Sequence, residues 1–326
     1  MANNHFADPD AELTPLLAAR PPPPASFTSD IPNRRIWFEE FFAAALREVQ
    51  APSLPTDGGT FVVRSYYPTG YETGGFPLFF WMHGGGFIYG SVETDDYLCR
   101  ILCDEFKLAV LNVDYRPCPE HPFPGPWDDS YAALKWAVAN APSLHFDLQR
   151  GIIIAGLSAG SILTAALTHR ARGDAFFAEH GTRIVGQLMQ APTLCHPDSI
   201  PEEYKEVCTS FAQNADAPLL SMRQVEEYRV CQKGQPFDPD YSPLLHPSFE
   251  GLPAAYMQVC GMDPFRDTAL VYADRLRAAG VPVKVEVYRG APHAFHYAYP
   301  KPRLGQKFDK DMREGLKWLL ERARAH

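Results

Sequence analysis

The chain has 326 residues, 46% hydrophobic and 21% charged, with a formal net charge of −9. That composition excludes a disordered chain and leaves room for one large packed domain or two. Its 30 basic residues are scattered along an acidic chain, which excludes a phosphate-binding surface for nucleic acid. No uncharged apolar run reaches the roughly 18 residues that a membrane-spanning helix requires.

The start of the chain carries Asp8, Asp10 and Glu12 where a secretory leader would be basic and then apolar, so export by that route is not expected. A proline run at 21–24 follows, then an amphipathic segment at 36–49 that reads as a helix. The first fifty residues therefore read as an appendage to the core, an N-terminal cap segment. Residues 60–67 favour a strand. After a glycine-rich turn at 70–75 comes the apolar run 76–82, which has the length and character of a strand buried on both faces.

From there the chain alternates. Helix is expected at 95–106, strand at 108–113, helix at 127–139, strand at 151–155, helix at 158–172 and strand at 184–190. This order predicts an α/β fold with a parallel sheet and crossover helices. Residues 193–251 break the rhythm: they are rich in Pro, Tyr and acidic residues and hold no convincing strand, so they read as a cap insertion. A core of 51–192 thus resumes at 252–326, with strand at 254–260, helix at 266–279, strand at 283–288 and a closing amphipathic helix at 305–324.

Seven cysteines, Cys99, Cys103, Cys118, Cys195, Cys208, Cys231 and Cys260, contain no Cys-x-x-Cys pair. An odd, dispersed set of this kind fits free buried thiols in a reducing, cytoplasmic compartment. Cys99 and Cys103 share a helix face four residues apart, where core packing and not metal binding is expected.

The chemistry concentrates at Gly156-Leu157-Ser158-Ala159-Gly160, which follows the apolar strand Ile152-Ile153-Ile154-Ala155 and opens a small-residue helix. A sharp strand-to-helix turn holds such a serine in a strained backbone region, and a side chain at either flanking glycine would collide with a neighbouring element. Ser158 is the candidate nucleophile. A hydroxyl needs a base, and the base an orienting acid. Asp263 and His293 lie in loops just beyond two later strands, in the order that an α/β-hydrolase requires. Asp267 and His296 compete for these roles. Asp267 falls in the first turn of a helix, where an acid is commonly a favourable terminus charge, and His293 comes sooner after its strand. His83-Gly84-Gly85-Gly86, after the strand ending at Met82, supplies the third part: backbone N–H groups of Gly84 and Gly85, with that of Ala159, are the expected oxyanion donors. His83 reads as a brace for this loop. Phe87, Tyr89 and Leu157 are the expected substrate-binding residues, with aromatic core packing the competing reading for the first two.

Together these motifs, with Asp114-Tyr115-Arg116 through Pro119-Glu120-His121-Pro122-Phe123-Pro124 and Asp263-Pro264-Phe265-Arg266-Asp267, resemble the hormone-sensitive-lipase-like family of α/β-hydrolases. The resemblance runs from residue 61 to the C-terminus. It implies an eight-stranded, mostly parallel sheet flanked by helices, a helical cap, no metal and no organic cofactor. It further implies a serine carboxylesterase acting on small-molecule esters of short or medium acyl or aryl type through an acyl-enzyme. A homodimer is compatible with it. Three departures mark a divergent member: Leu157 where the family usually has Asp or Thr, Pro117-Cys118 inside the Tyr-Arg motif, and Thr268 in place of Glu. Acyl transfer, lactone or thioester cleavage and deacetylation on the same triad remain open alternatives. A hormone-receptor role, which in the plant relatives accompanies loss of the histidine, is disfavoured by His293.

Overall fold

The computed structural model describes residues 3–19, 53–56, 59–68 and 75–324. The proline run at 21–24, the amphipathic segment at 36–49 and nearly all of the 70–75 turn lie outside these residues. Among the described residues eight strands form one sheet in the order β1-β2-β4-β3-β5-β6-β7-β8. They are β1 (Ser53–Thr56), β2 (Gly59–Tyr66), β3 (Leu78–Met82), β4 (Ala109–Asp114), β5 (Ile152–Leu157), β6 (Ile184–Gln190), β7 (Ala254–Met262) and β8 (Val283–Pro292). β2 is antiparallel to β1 and β4, and every other pairing is parallel. β1 is absent from the sequence reading, because four residues that include Pro55 give no alternating pattern.

The central strands are buried on both faces, as their uninterrupted apolar runs predict. Leu78, Phe80 and Met82 enter one core cluster while Phe79 and Trp81 enter the other. Ile152 and Ile154 likewise face opposite Ile153 and Ala155. Among the described residues six longer helices complete the layers: α1 (Asp96–Phe106), α2 (Gly125–Ala139), α3 (Ala159–Arg172), α4 (Met222–Gln232), α5 (Arg266–Ala278) and α6 (Arg303–Arg324). α6 buries Phe308, Met312, Leu316 and Leu319, one stripe at helical spacing. Between β6 and β7 the chain forms no strand, and its main element, α4, starts at a reciprocal cap in which Ser221 and Gln224 satisfy each other's backbone N–H groups.

The N-terminal residues correct one expectation. Residues 3–19 are not an appendage, because Leu13 is fully buried in the cluster that holds Phe295 and Phe308. The backbone of Phe6 passes so close to β7 that a Cβ on Gly261 would lie 2.0 Å from its carbonyl oxygen. Glu12 accepts the backbone N–H of Arg303 at 2.8 Å, capping the start of α6. Leu13, Leu16 and Leu17 have helical spacing, but this stretch spans little more than one turn and is too short to announce a core contact.

Candidate active site

Ser158 sits between β5 and α3 with φ 54° and ψ −111°, a conformation that costs on the order of 1–3 kcal/mol and persists only where packing dictates it. Packing does dictate it here. A Cβ on Gly160 would lie 2.0 Å from the Met82 carbonyl oxygen, and one on Gly156 would lie 2.4 Å from that of Gly160. Strand, turn and helix therefore interlock through two missing side chains, and the serine is held at the C-terminal edge of the sheet.

Register brings up the other two groups. β7 and β8 run on past their expected ends, and Met262 pairs with Pro292. The next residues on the two strands are Asp263 and His293. His293 Nδ1 lies 2.6 Å from Asp263 Oδ2, and Nε2 lies 2.7 Å from Ser158 Oγ. With Nδ1–H donated to the carboxylate, Nε2 carries the lone pair that can accept the serine proton. Asp263 is buried and its other oxygen accepts the Phe265 N–H at 2.9 Å.

The competing residues are engaged elsewhere. Asp267 is fully buried against Arg266 at 2.8 Å and accepts the Ser210 N–H at 2.8 Å, so it ties α5 to the segment between β6 and β7. His296 lies flat on Phe308 with 4.0 Å between ring centres, and burial, followed by the neighbouring His293, holds its pKa down at about 3.

The glycine loop leaves the end of β3 beside the serine. Gly85 has φ 121°, and a Cβ there would lie 2.1 Å from the Tyr89 carbonyl oxygen. His83 braces the loop: its Nδ1 donates to the Gly84 carbonyl at 2.7 Å, and its ring stacks on Tyr115, whose hydroxyl donates to the His83 carbonyl at 2.9 Å. Burial lowers the His83 pKa to about 4, so the ring is a neutral strut. Nearby, Arg116 holds Asp129 with two side-chain bonds at 2.8 and 2.7 Å.

A cleft opens at Ser158. Phe87 and Ile162 line it from the core side, while Leu220, Val225 and Tyr228 line it from the segment between β6 and β7. Two expected pocket residues are absent from its walls. Leu157 alternates to the opposite face of β5 and packs beneath Gly84 in the buried core. Tyr89 is buried, and its ring meets that of Tyr228 edge-on at 6.0 Å. Only Phe87 of the three reaches the cleft, with its ring stacked on Trp127 at 4.2 Å. Most of the remaining lining, including His196, Arg229, Gln232 and Tyr241, comes from the segment between β6 and β7, where the sequence signalled only aromatic content. Among the described residues no group of three His, Cys, Asp or Glu side chains is placed to hold a metal ion, and no helix is long and apolar enough to cross a membrane.

A family profile described as alpha/beta hydrolase fold matches residues 79–297, which include every group of this site. This chain is a hormone-sensitive-lipase-like α/β-hydrolase. Within that family it is 34% identical to esterase LipI of Mycobacterium tuberculosis over 76% of this chain and 75% of the relative. It is 32% identical to the versiconal hemiacetal acetate esterase of Dothistroma septosporum over 76% of this chain and 75% of that one. In three dimensions the hydrolase is similar to the crystal structure of vibralactone cyclase, with a TM-score of 0.91, 38% identity and coverage of 98% of this chain and 97% of that one.

Proposed function

We propose that the protein is a serine carboxylesterase that cleaves small carboxylic esters through an acyl-enzyme on Ser158. The observation that carries this is the run of two short bonds, Asp263 to His293 to Ser158, ending at the mouth of an apolar cleft. His293 takes the serine proton as Oγ attacks the carbonyl, and returns it to the leaving alcohol. The imidazolium formed in between is stabilised by Asp263. Water then enters, loses its proton to the same nitrogen and releases the acid. Gly84, Gly85 and Ala159 are the proposed oxyanion donors; one such donor is typically worth about 3–4 kcal/mol in the transition state.

Residues 193–251 act in this proposal as a cap over a core of 51–192 and 252–326. They supply the apolar wall that excludes water from the charged transition state and selects the substrate. Short or medium acyl groups and aryl esters suit that wall, and the esterase relatives favour ester cleavage. Seven free cysteines, all buried, fit work in a reducing cytoplasm.

A second reading has its own support in the likeness to vibralactone cyclase over nearly the whole chain. In it the acyl-enzyme is intercepted by a hydroxyl of the acyl chain itself, and a lactone leaves in place of the acid. Steady-state turnover of a p-nitrophenyl ester panel, with fluorophosphonate labelling of wild type and Ser158→Ala, tests the common first step. An unlabelled wild type without ester turnover refutes it. Mass analysis of the product from an ω-hydroxyacyl ester separates hydroxy acid from lactone.

A further inference from the structure

The cleft wall farther along the segment between β6 and β7 is built from polar side chains whose bonds can be accounted for one by one. Gln232 donates to the Gly86 carbonyl at 2.9 Å and accepts the Tyr241 hydroxyl. Cys195 donates to the His196 carbonyl. Arg229, on α4, spends its terminal nitrogens on Glu226 at 2.8 Å and Asp198 at 3.0 Å. Its Nε is buried with no hydrogen-bond partner among the described residues.

His196 is the informative member. It lies in the wall of the same cleft as Ser158 and is 5% exposed. Its Nδ1 accepts the backbone N–H of Asp198 at 3.0 Å, which caps the short turn Pro197–Ser199. A nitrogen that accepts carries no proton, so the proton of the neutral ring is on Nε2. Burial, with the positive charge of Arg229 second, lowers the His196 pKa to about 4 and keeps the ring in that one tautomer at neutral pH. Nε2–H makes no hydrogen bond among the described residues. The same backbone turn thus orients the ring, fixes its tautomer and leaves a donor unused. Beside it, Asp198 joins His196 to Arg229. The two groups so identified, Arg229 Nε–H and His196 Nε2–H, are both donors.

We infer that His196, seconded by Arg229, is a specificity-determining subsite that recognises a hydrogen-bond-accepting oxygen on the substrate away from the scissile ester. The inference rests on the reading of Ser158 as the esterase nucleophile. It narrows the substrate class to oxygenated esters, such as those of keto or hydroxy compounds, over plain alkyl ones. A substrate without that oxygen leaves a buried N–H unpaired, and discrimination of that origin is the kind a hydrogen-bonding site achieves and an apolar wall does not.

The test compares kcat/KM within matched pairs: p-nitrophenyl 4-oxopentanoate against pentanoate for the acyl side, and 3-oxobutyl against butyl acetate for the alcohol side. The wild type is expected to prefer the oxo member of one pair by roughly five- to tenfold, and that ratio to fall to near one in His196→Asn. Asn is a good capping residue, so the turn at Asp198 keeps its acceptor while the distal donor is removed. Arg229→Met, which retains the aliphatic stem, lowers the same ratio as a second variant. No preference in either pair, or an unchanged ratio in His196→Asn, overturns the subsite. Calorimetric binding of the intact oxo esters to Ser158→Ala, with and without His196→Asn, reads the subsite without turnover. A loss of affinity by the same factor supports it, and equal affinity overturns it. Absent hydrolysis together with that loss of affinity would refute the role of Ser158 alone.

Discussion

Replacing His296 by Phe and comparing stability at pH 7 and pH 5 probes the half-buried histidine just beyond His293. His296 is packed on Phe308, and burial sets its pKa at about 3 in place of 6.5. Between these values the unfolded chain binds a proton that the folded chain refuses. Stability is therefore lost as pH falls from 6.5 to about 3, and the loss is complete below that. At pH 5 the unfolded ring is 1.5 units below its pKa, which at 1.36 kcal/mol per unit amounts to about 2 kcal/mol. The figure is insensitive to the folded value, since anything below about 4 returns the same result. His83, held at about 4, contributes a similar loss over the window from 6.5 to 4. Asp95 works in the opposite sense. Burial raises its carboxyl to about 6, although Tyr297 and Trp81 donate to it, so acidification through 6 towards 3.8 relieves a folded-state penalty. The total pH slope mixes these signs, and the variant isolates one of them. Urea unfolding of wild type and His296→Phe is expected to show the variant losing about 2 kcal/mol less between pH 7 and pH 5. An equal loss in both proteins refutes the argument.

Leu13→Ala is expected to cost about 2–5 kcal/mol in the same urea assay, the range for a fully buried leucine, although it lies in a segment that reads as peripheral. Gly160→Ala places a methyl 2.0 Å from the Met82 carbonyl oxygen. Backbone must shift to admit it, so a drop in thermal midpoint is expected together with loss of fluorophosphonate labelling. On the proposed mechanism Asp263→Asn leaves the protein folded and lowers kcat by about 10⁴-fold, because the histidine loses the partner that sets its tautomer. A decrease of less than tenfold in stopped-assay kcat would count against Asp263 as the orienting acid.

The serine elbow, the glycine loop and the two loops bearing Asp263 and His293 were legible because each is encoded locally. A glycine spacing, an apolar run and a short loop need only neighbours in sequence to be read. The choice of Asp263 over Asp267 was legible as a preference, and it acquired its physical reason from the adjacent Arg266 and from Ser210 and Asn3, which claim Asp267 from two distant parts of the chain. Leu157 shows the limit in the other direction. It adjoins Ser158 in sequence, yet the two-residue period of β5 turns it away from the cleft.

Local order of strands and helices, and with it the α/β class and the chain order of Ser158, Asp263 and His293, is a property of the sequence by itself. Periodicity and glycine sterics act over a few residues and leave their mark there. The tertiary structure alone decided that Leu13 belongs to the core, that Met262 and Pro292 pair so that Asp263 meets His293, and that His196 and Arg229 face the same cleft as Ser158. These depend on contacts between residues tens to hundreds of positions apart. Such contacts are selected by the free energy of the packed whole, and no short window of sequence carries them.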